Sequence, residues 1–292
     1  MGRETPGKVA FPFFGTAGVT DFNYTELRRT DRELDDRRAA HRVVIHPGGH
    51  EWLSRELAME ALAWLDLQAM RTGVKPKDAT WIQAQFEARR AAVPAEPPLE
   101  NFHGLKALAA DFKDLADTAG VERQVAVLAA AHEIRDALKA ERAAERQEED
   151  MAGGLLEAAS GGASGQVRKL AENLHAKAGA TATTSERQMA TRILQGVSAH
   201  CSEMAREQMR GENYGDAAPF FEALTLLRPE RTQAWFDLAR CQALAGDKKR
   251  ALAALQGGAA AGFKDAARVE AEPAFAKWRA EPAFLKIVAE MR

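Results

Sequence analysis

The sequence predicts a mainly α-helical chain with one small βαβ element near its N-terminus. Sixty of the 292 residues are alanine, the strongest helix former, whereas valine and isoleucine, strong strand formers, together number only 18. Five of those 18 fall in the first 50 positions, so a sheet, if present, lies there. In the last third, Ala217 and Ala251 stand 34 residues apart, a period that belongs to stacked helix pairs. At roughly 150 residues per domain, the length suggests about two domains.

Taken in order, residues 8–15, KVAFPFFG, are too short and aromatic for a helix and read as a strand. Pro12 argues against a central place in a sheet. After the turn TAGVTDFNY, Thr30 and Glu33 fit a capping box for a short polar helix over 30–40. Residues 42–46, RVVIH, read as a second strand. Strand, helix and strand in about 38 residues form a βαβ unit, so the strands should pair in parallel. Beyond the loop PGGHEW, Leu57, Ala61, Leu62, Leu65 and Ala69 repeat at helical spacing over 54–72, and Gly73 stops that helix. A further helix spans 77–92 with Asp78 as its cap.

The segment VPAEPP, 93–98, breaks the chain and marks a boundary. Residues 101–150 read as helical. Their charged stretch KAERAAERQEED, 139–150, reads as a solvated face. The glycine-rich run 153–165 reads as a loop or linker. Helices over 166–178 and 186–210 follow, the second with Ser185 and Gln188 as a capping box.

The final segment carries the repeat. Around Ala217 stand Asn213, Tyr214, Phe221 and Pro229; around Ala251 stand Trp235, Leu238, Gly246 and Leu255. This resembles the tetratricopeptide (TPR) pattern over about 198–262. The second repeat matches well, and the first repeat's leading helix, around Cys201 and Met204, is degenerate. The resemblance implies a surface for a peptide or protein ligand. EPAF occurs at 272–275 and again at 281–284, with proline suited to the first turn of a helix each time. These short helices are expected to cover the open end of the array.

The first 70 residues carry the chemistry. A strand runs to Gly15, Asp21 follows, a helix leads to a second strand, and that strand ends in the turn HPGGHEW before an amphipathic helix. This looks like the C-terminal end of an α/β-hydrolase of the dienelactone-hydrolase or carboxylesterase-like group. The resemblance implies that Asp21 is the acid of a catalytic triad and His50 its base, one crossover helix apart. The other readings are a turn aspartate bonding its own backbone and a loop histidine. In such a triad a serine attacks the ester carbonyl, the histidine takes its proton, and the carboxylate holds the imidazole in the right tautomer. The serine belongs in G-x-S-x-G ahead of the acid and base. No serine precedes Asp21 here; the first is Ser54, after the histidine and inside a helix, and the weak match A-A-S-G-G at Ser160 lacks a preceding strand.

The expected chain is thus a truncated α/β-hydrolase C-terminal βαβ-α element over 1–92, a helical connecting region over 99–195, and a TPR-like solenoid with terminal capping helices over 196–292. Two functions are expected of it. One is the C-terminal fragment of a serine esterase, inactive without a missing N-terminal piece; the other is an interaction scaffold with a vestigial hydrolase segment.

Other chemistries are disfavoured. Forty basic against 42 acidic residues, a net charge of -2, create no field for nucleic acid. No apolar run reaches the roughly 18 residues of a membrane span. The N-terminus has no signal-peptide apolar stretch, which reads as cytoplasmic; a longer gene with a signal peptide would be secreted or periplasmic. No cofactor motif is present. His46 and His50 have H-x3-H spacing but no evident third ligand, so no metal is expected. HEWLS and HEIRD lack the second histidine of H-E-x-x-H; His132 and Asp136 read as an ordinary helix pair. Asp31, Asp35 and Asp36 are weaker acids for the triad because they lie on the polar helix. Cys201 and Cys241 read as buried small residues. Phe11, Phe13, Phe14, Trp52 and Trp64 read as core, with exposure expected in an incomplete domain.

Overall fold

The computed structural model describes Val9 and residues 11–292. These form two compact units with the boundary between Gln147 and Glu148. The fold is mainly helical, with a single two-stranded sheet among the described residues.

In the first unit, strand β1 (Phe13–Gly18) pairs in parallel with β2 (His41–His46), Phe13 opposite His41 and Gly18 opposite His46. Helix α1 (Tyr24–Asp36) makes the crossover, as a parallel pair requires. The expected strand over 8–15 is displaced toward its C-terminal side. Its Lys8 and Ala10 lie outside the described residues, Pro12 stands just before the ladder, and Gly15 lies inside it. The α1 helix also starts earlier than expected. Thr30 sits in its middle, and the chain enters it through the turn at Asp21–Tyr24.

Four further helices lie wholly within this unit: α2 (Arg55–Arg71), α3 (Ala79–Ala92), α4 (Pro98–Phe112) and α5 (Ala119–Ala130). Ser54 caps α2 by accepting from Leu57 N, and Asp78 caps α3 by accepting from Trp81 N. Both satisfy an orphan amide of the first turn. Leu67, Met70, Ile82, Phe86, Leu105, Leu108, Phe112 and Val121 form the core. The buried face of α2 differs from the expected one. Trp64, Leu67 and Met70 are buried, while Leu62 and Leu65 are exposed. Trp64 decides the rotation: its ring packs 5.7 Å from Phe14 and its N–H reaches Asp111, a pairing that spacing alone does not contain.

Asp111 is the polar centre of this unit. It is buried and accepts from Trp64 Nε1 at 2.6 Å, from Arg42 at 2.5 Å and from Arg89. Arg42 also meets Glu60, and Arg71 donates to the Ala110 carbonyl at 2.9 Å.

The unit boundary falls within one long helix, α6 (His132–Ser160). Two expectations are corrected here. The run 153–160 continues the helix rather than forming a linker, because Leu155, Ala158 and Ala159 are buried. That burial offsets the roughly 1 kcal/mol that Gly153 and Gly154 each cost a helix relative to alanine. The charged stretch 139–150 is not wholly solvated. Glu145 is buried against Arg28, at 3.1 Å, and Arg32; Glu148 is buried against Arg192 at 2.5 Å.

The second unit continues through α7 (Ser164–Ala178), α8 (Thr184–Arg210), α9 (Tyr214–Leu227), α10 (Thr232–Leu244) and α11 (Lys248–Ala260). The capping box of α8 is Thr183 with Glu186, two residues ahead of the expected Ser185 and Gln188. Each neighbouring pair from α7 to α11 packs together. Ala217 and Ala251 are fully buried, and Phe221, Leu238 and Leu255 fill the layers around them. Gly246 takes the left-handed conformation (φ +83°) that turns α10 into α11. Beyond α12 (Ala266–Ala271), Pro273 opens a 3-10 helix (Pro273–Trp278) and Pro282 opens α13 (Pro282–Glu290). The 3-10 helix packs on α10 and α13 on α11, burying Phe275 and Phe284.

Candidate functional site

The candidate site of the first unit is built at the C-terminal ends of the two parallel strands. Gly18 ends β1 beside the turn Pro47-Gly48-Gly49 that follows β2. A Cβ on Gly18 would meet the Gly48 carbonyl oxygen at 2.4 Å, so only glycine permits this approach. The two turns are stitched together. Val19 N donates to the His46 carbonyl at 2.9 Å, and Thr20 donates to the Gly48 carbonyl through N at 2.9 Å and Oγ1 at 2.7 Å. Gly48 has φ +125°, which a side chain would resist.

This stitching brings Asp21 and His50 together. His50 Nδ1 lies 3.2 Å from Asp21 Oδ1. Asp21 is 5% exposed, while the His50 side chain is 57% exposed. Asp21 Oδ1 also accepts from Asn23 N at 2.8 Å, the local turn bond of an aspartate that starts a helix. The His50 ring lies against Phe22, with centroids 4.5 Å apart. A carboxylate at Nδ1 favours the tautomer with its proton there and leaves Nε2 as a base. Among the described residues, the hydrogen bonds of the His50 ring all run through Nδ1. Phe22, Asn23 and Gly18 support the pair. Asp21-Phe22-Asn23 is contiguous in sequence, so the support was visible there as a motif but not as a contact.

The remaining candidates lie elsewhere. His46 Nδ1 meets the Pro47 carbonyl at 2.9 Å rather than joining His50. Asp31 and Asp35 face His41, at 3.3 and 3.7 Å. Ser54 caps α2, and Ser160 donates to the Leu156 carbonyl within α6. Among the described residues no three metal-ligating side chains converge. His132 and Asp136 form an exposed i,i+4 pair. Phe11 is 65% and Trp52 98% exposed, whereas Trp64 is buried.

The second unit holds a cavity of about 420 Å³ lined from α7, α9, α10 and α11. Composition and periodicity did not single out this cavity; its polar lining is spread over residues 164–250. Burial pushes the thiols of Cys201 and Cys241 up to about 12 and about 11, which keeps both protonated at neutral pH.

Compared with known protein families, residues 209–271 match a tetratricopeptide repeat model. The match covers α9 through α12. No curated protein and no solved structure matches the chain. No described helix is long and apolar enough to cross a membrane.

Proposed function

We propose that the protein is an interaction scaffold whose second unit holds a peptide or protein segment. The tetratricopeptide match over 209–271, lying on helices that pack pair against pair, carries this reading. Stacked helix pairs offer an extended surface made of rigid elements, which suits recognition of a chain segment. The test is retention of immobilised synthetic peptides of randomised sequence by the purified full chain. A reproducible, sequence-related subset is expected. Failure to retain any peptide overturns the scaffold reading.

A second reading rests on a different observation, the 3.2 Å contact of His50 with a buried Asp21. We propose that this pair is the acid and base of a serine-esterase triad of α/β-hydrolase type, with the nucleophile supplied by a preceding piece. Asp21 would orient the imidazole and stabilise the imidazolium, and Nε2 would take the proton of the attacking hydroxyl. A sheet of two strands among the described residues fits this reading, since such a sheet is marginal by itself. The chain alone is expected to resist a fluorophosphonate probe; stoichiometric labelling would overturn the claim that it lacks the nucleophile. The coding sequence upstream of the first codon tests the origin. An in-frame strand, G-x-S-x-G and helix supports it, and an immediate stop codon overturns it.

A further inference from the structure

Helices α3, α4 and α5 of the first unit leave a groove of about 760 Å³ between them. Its floor is apolar and set by packing. Leu105 on α4 is buried in the core of the unit, and Val93 and Leu128 pack against that core. Val93 follows α3 and is seated on α4 at Gly104, where a Cβ would stand 2.9 Å from the Val93 Cγ1. Asn101 on α4 donates to the Pro94 carbonyl at 2.7 Å, which fixes the connection between α3 and α4, and Ala95 of that connection lines the groove. At the mouth, Val127 on α5 is 71% exposed, an apolar side chain left in water.

Two arginines bring charge to this groove. Arg89 and Arg90 are consecutive on α3, so they point about 100° apart around its axis. Arg89 turns inward to Asp111, and Arg90 lines the groove. Arg123 on α5 lines it as well. Arg28, Arg32 and Arg42 of the same unit each meet a carboxylate. Among the described residues Arg90 and Arg123 have no ion-pair partner, and none of the ten residues lining the groove carries a carboxylate. Two unpaired guanidiniums beside an apolar floor are the complement of an anion with an apolar body. A carboxylate matches the guanidinium fork, which presents parallel N–H donors to its two oxygens. The volume lies within the roughly 300–1,000 Å³ of small-molecule sites.

We propose that this groove binds a small carboxylic acid with an apolar body, its carboxylate on Arg90 and Arg123 and its hydrocarbon against Val93, Leu105, Val127 and Leu128. The inference shares no residue with the Asp21–His50 pair or with the repeats, and it rests on neither functional reading. Six of the ten lining residues are exposed, so the groove is open and only part of the hydrocarbon leaves water.

The test is isothermal titration calorimetry of the full chain with octanoate at neutral pH. One saturable site is expected. A fully buried methylene strengthens binding about fourfold, and this floor covers part of the tail, so butanoate should bind about tenfold more weakly. 1-Octanol, which keeps the tail without the charge, should also bind at least about tenfold more weakly. R90Q and R123Q should each weaken octanoate by about tenfold. R55Q, which removes the same charge at the start of α2, should leave binding unchanged. V127D sets a carboxylate at the mouth and should abolish binding. All four positions are exposed, so melting temperatures should stay near that of wild type, and lost binding then does not reflect lost fold. No saturable octanoate binding by wild type, equal binding of 1-octanol, or octanoate binding that R90Q, R123Q and V127D leave unchanged overturns the inference.

Discussion

Replacing Asp111 with alanine should cost the first unit about 4 kcal/mol, because three buried donors depend on one carboxylate. Asp111 is 3% exposed, with one oxygen on the Trp64 indole at 2.6 Å and the other on Arg42 and Arg89. The side chains of Arg42 and Arg89 are only 15% and 18% exposed. Removing the anion strands two poorly solvated guanidiniums. Breaking a buried pair from one side costs about 3–5 kcal/mol. The lost indole bond adds about 1–3 kcal/mol, but the terms share one carboxylate and do not sum. Glu60 still pairs with Arg42, which keeps the total from the upper end. Against the ~5–15 kcal/mol that holds a domain folded, this is a large fraction. D111N separates charge from hydrogen bonding, since its carbonyl can still accept from Trp64, and should cost about half as much. Urea denaturation of D111A and D111N, followed by circular dichroism and tryptophan emission, measures both. If D111A unfolds within about 1 kcal/mol of wild type, or if D111N is the worse of the two, the charge argument fails.

Three further outcomes are expected. Burial pulls the His41 imidazole down, but its bond to Asp31, the Ala39 carbonyl and the charges of Asp31 and Asp35 outweigh it, and the pKa is raised. Such a group stabilises the fold fully below its unfolded value and ceases to do so as pH rises through the folded one. The first unit should therefore lose stability as pH rises above the ordinary histidine value of about 6.5 and through the raised one. H41Q should flatten that slope in denaturation curves; an unchanged slope would assign it to other groups. Cys201 and Cys241 should ignore a thiol reagent such as 5,5′-dithiobis(2-nitrobenzoic acid) at pH 8 while folded and react once unfolded, because burial raises both thiols. Rapid labelling of the native chain would contradict their burial. G18A should force the Gly48 turn away from β1, since its Cβ would stand 2.4 Å from a carbonyl oxygen. We expect a loss of about 1–3 kcal/mol and a displaced His50 ring resonance by nuclear magnetic resonance. An unshifted resonance would separate the turn from the Asp21–His50 contact.

Much of the architecture follows from short-range features. The parallel pair was legible because RVVIH and the aromatic strand are separated by a length that only a crossover helix fills. Asp78, Pro273 and Pro282 act locally, through the first amides of a helix, and stand where local reasoning puts them, whereas Ser54, read as inside its helix, caps it. The repeat was legible because Ala217 and Ala251 must be small where helices cross. Thr30, Ser185 and the glycines near 153 misled for one reason. Each carries a local preference weaker than burial. A capping residue inside a helix costs a few tenths of a kcal/mol, whereas burying Leu155 contributes about 2 kcal/mol.

The pairing of Asp21 with His50 lies between these cases. The residues stand out in sequence, but their 3.2 Å contact depends on Gly18 admitting the Gly48 turn, a relation between two strand ends. The sequence by itself determined helical content, the position of the sheet, the repeat period and the ends of α2, α3, α7 and α8 to within two residues, because these depend on backbone propensity and periodicity within a few residues. Only the tertiary structure decided which face of α2 is buried, that Asp111 gathers Arg42, Arg89 and Trp64, and that Glu145 and Glu148 leave solvent. Each of those depends on charge and shape contributed by residues distant in the chain, and their energies exist only once the helices have packed.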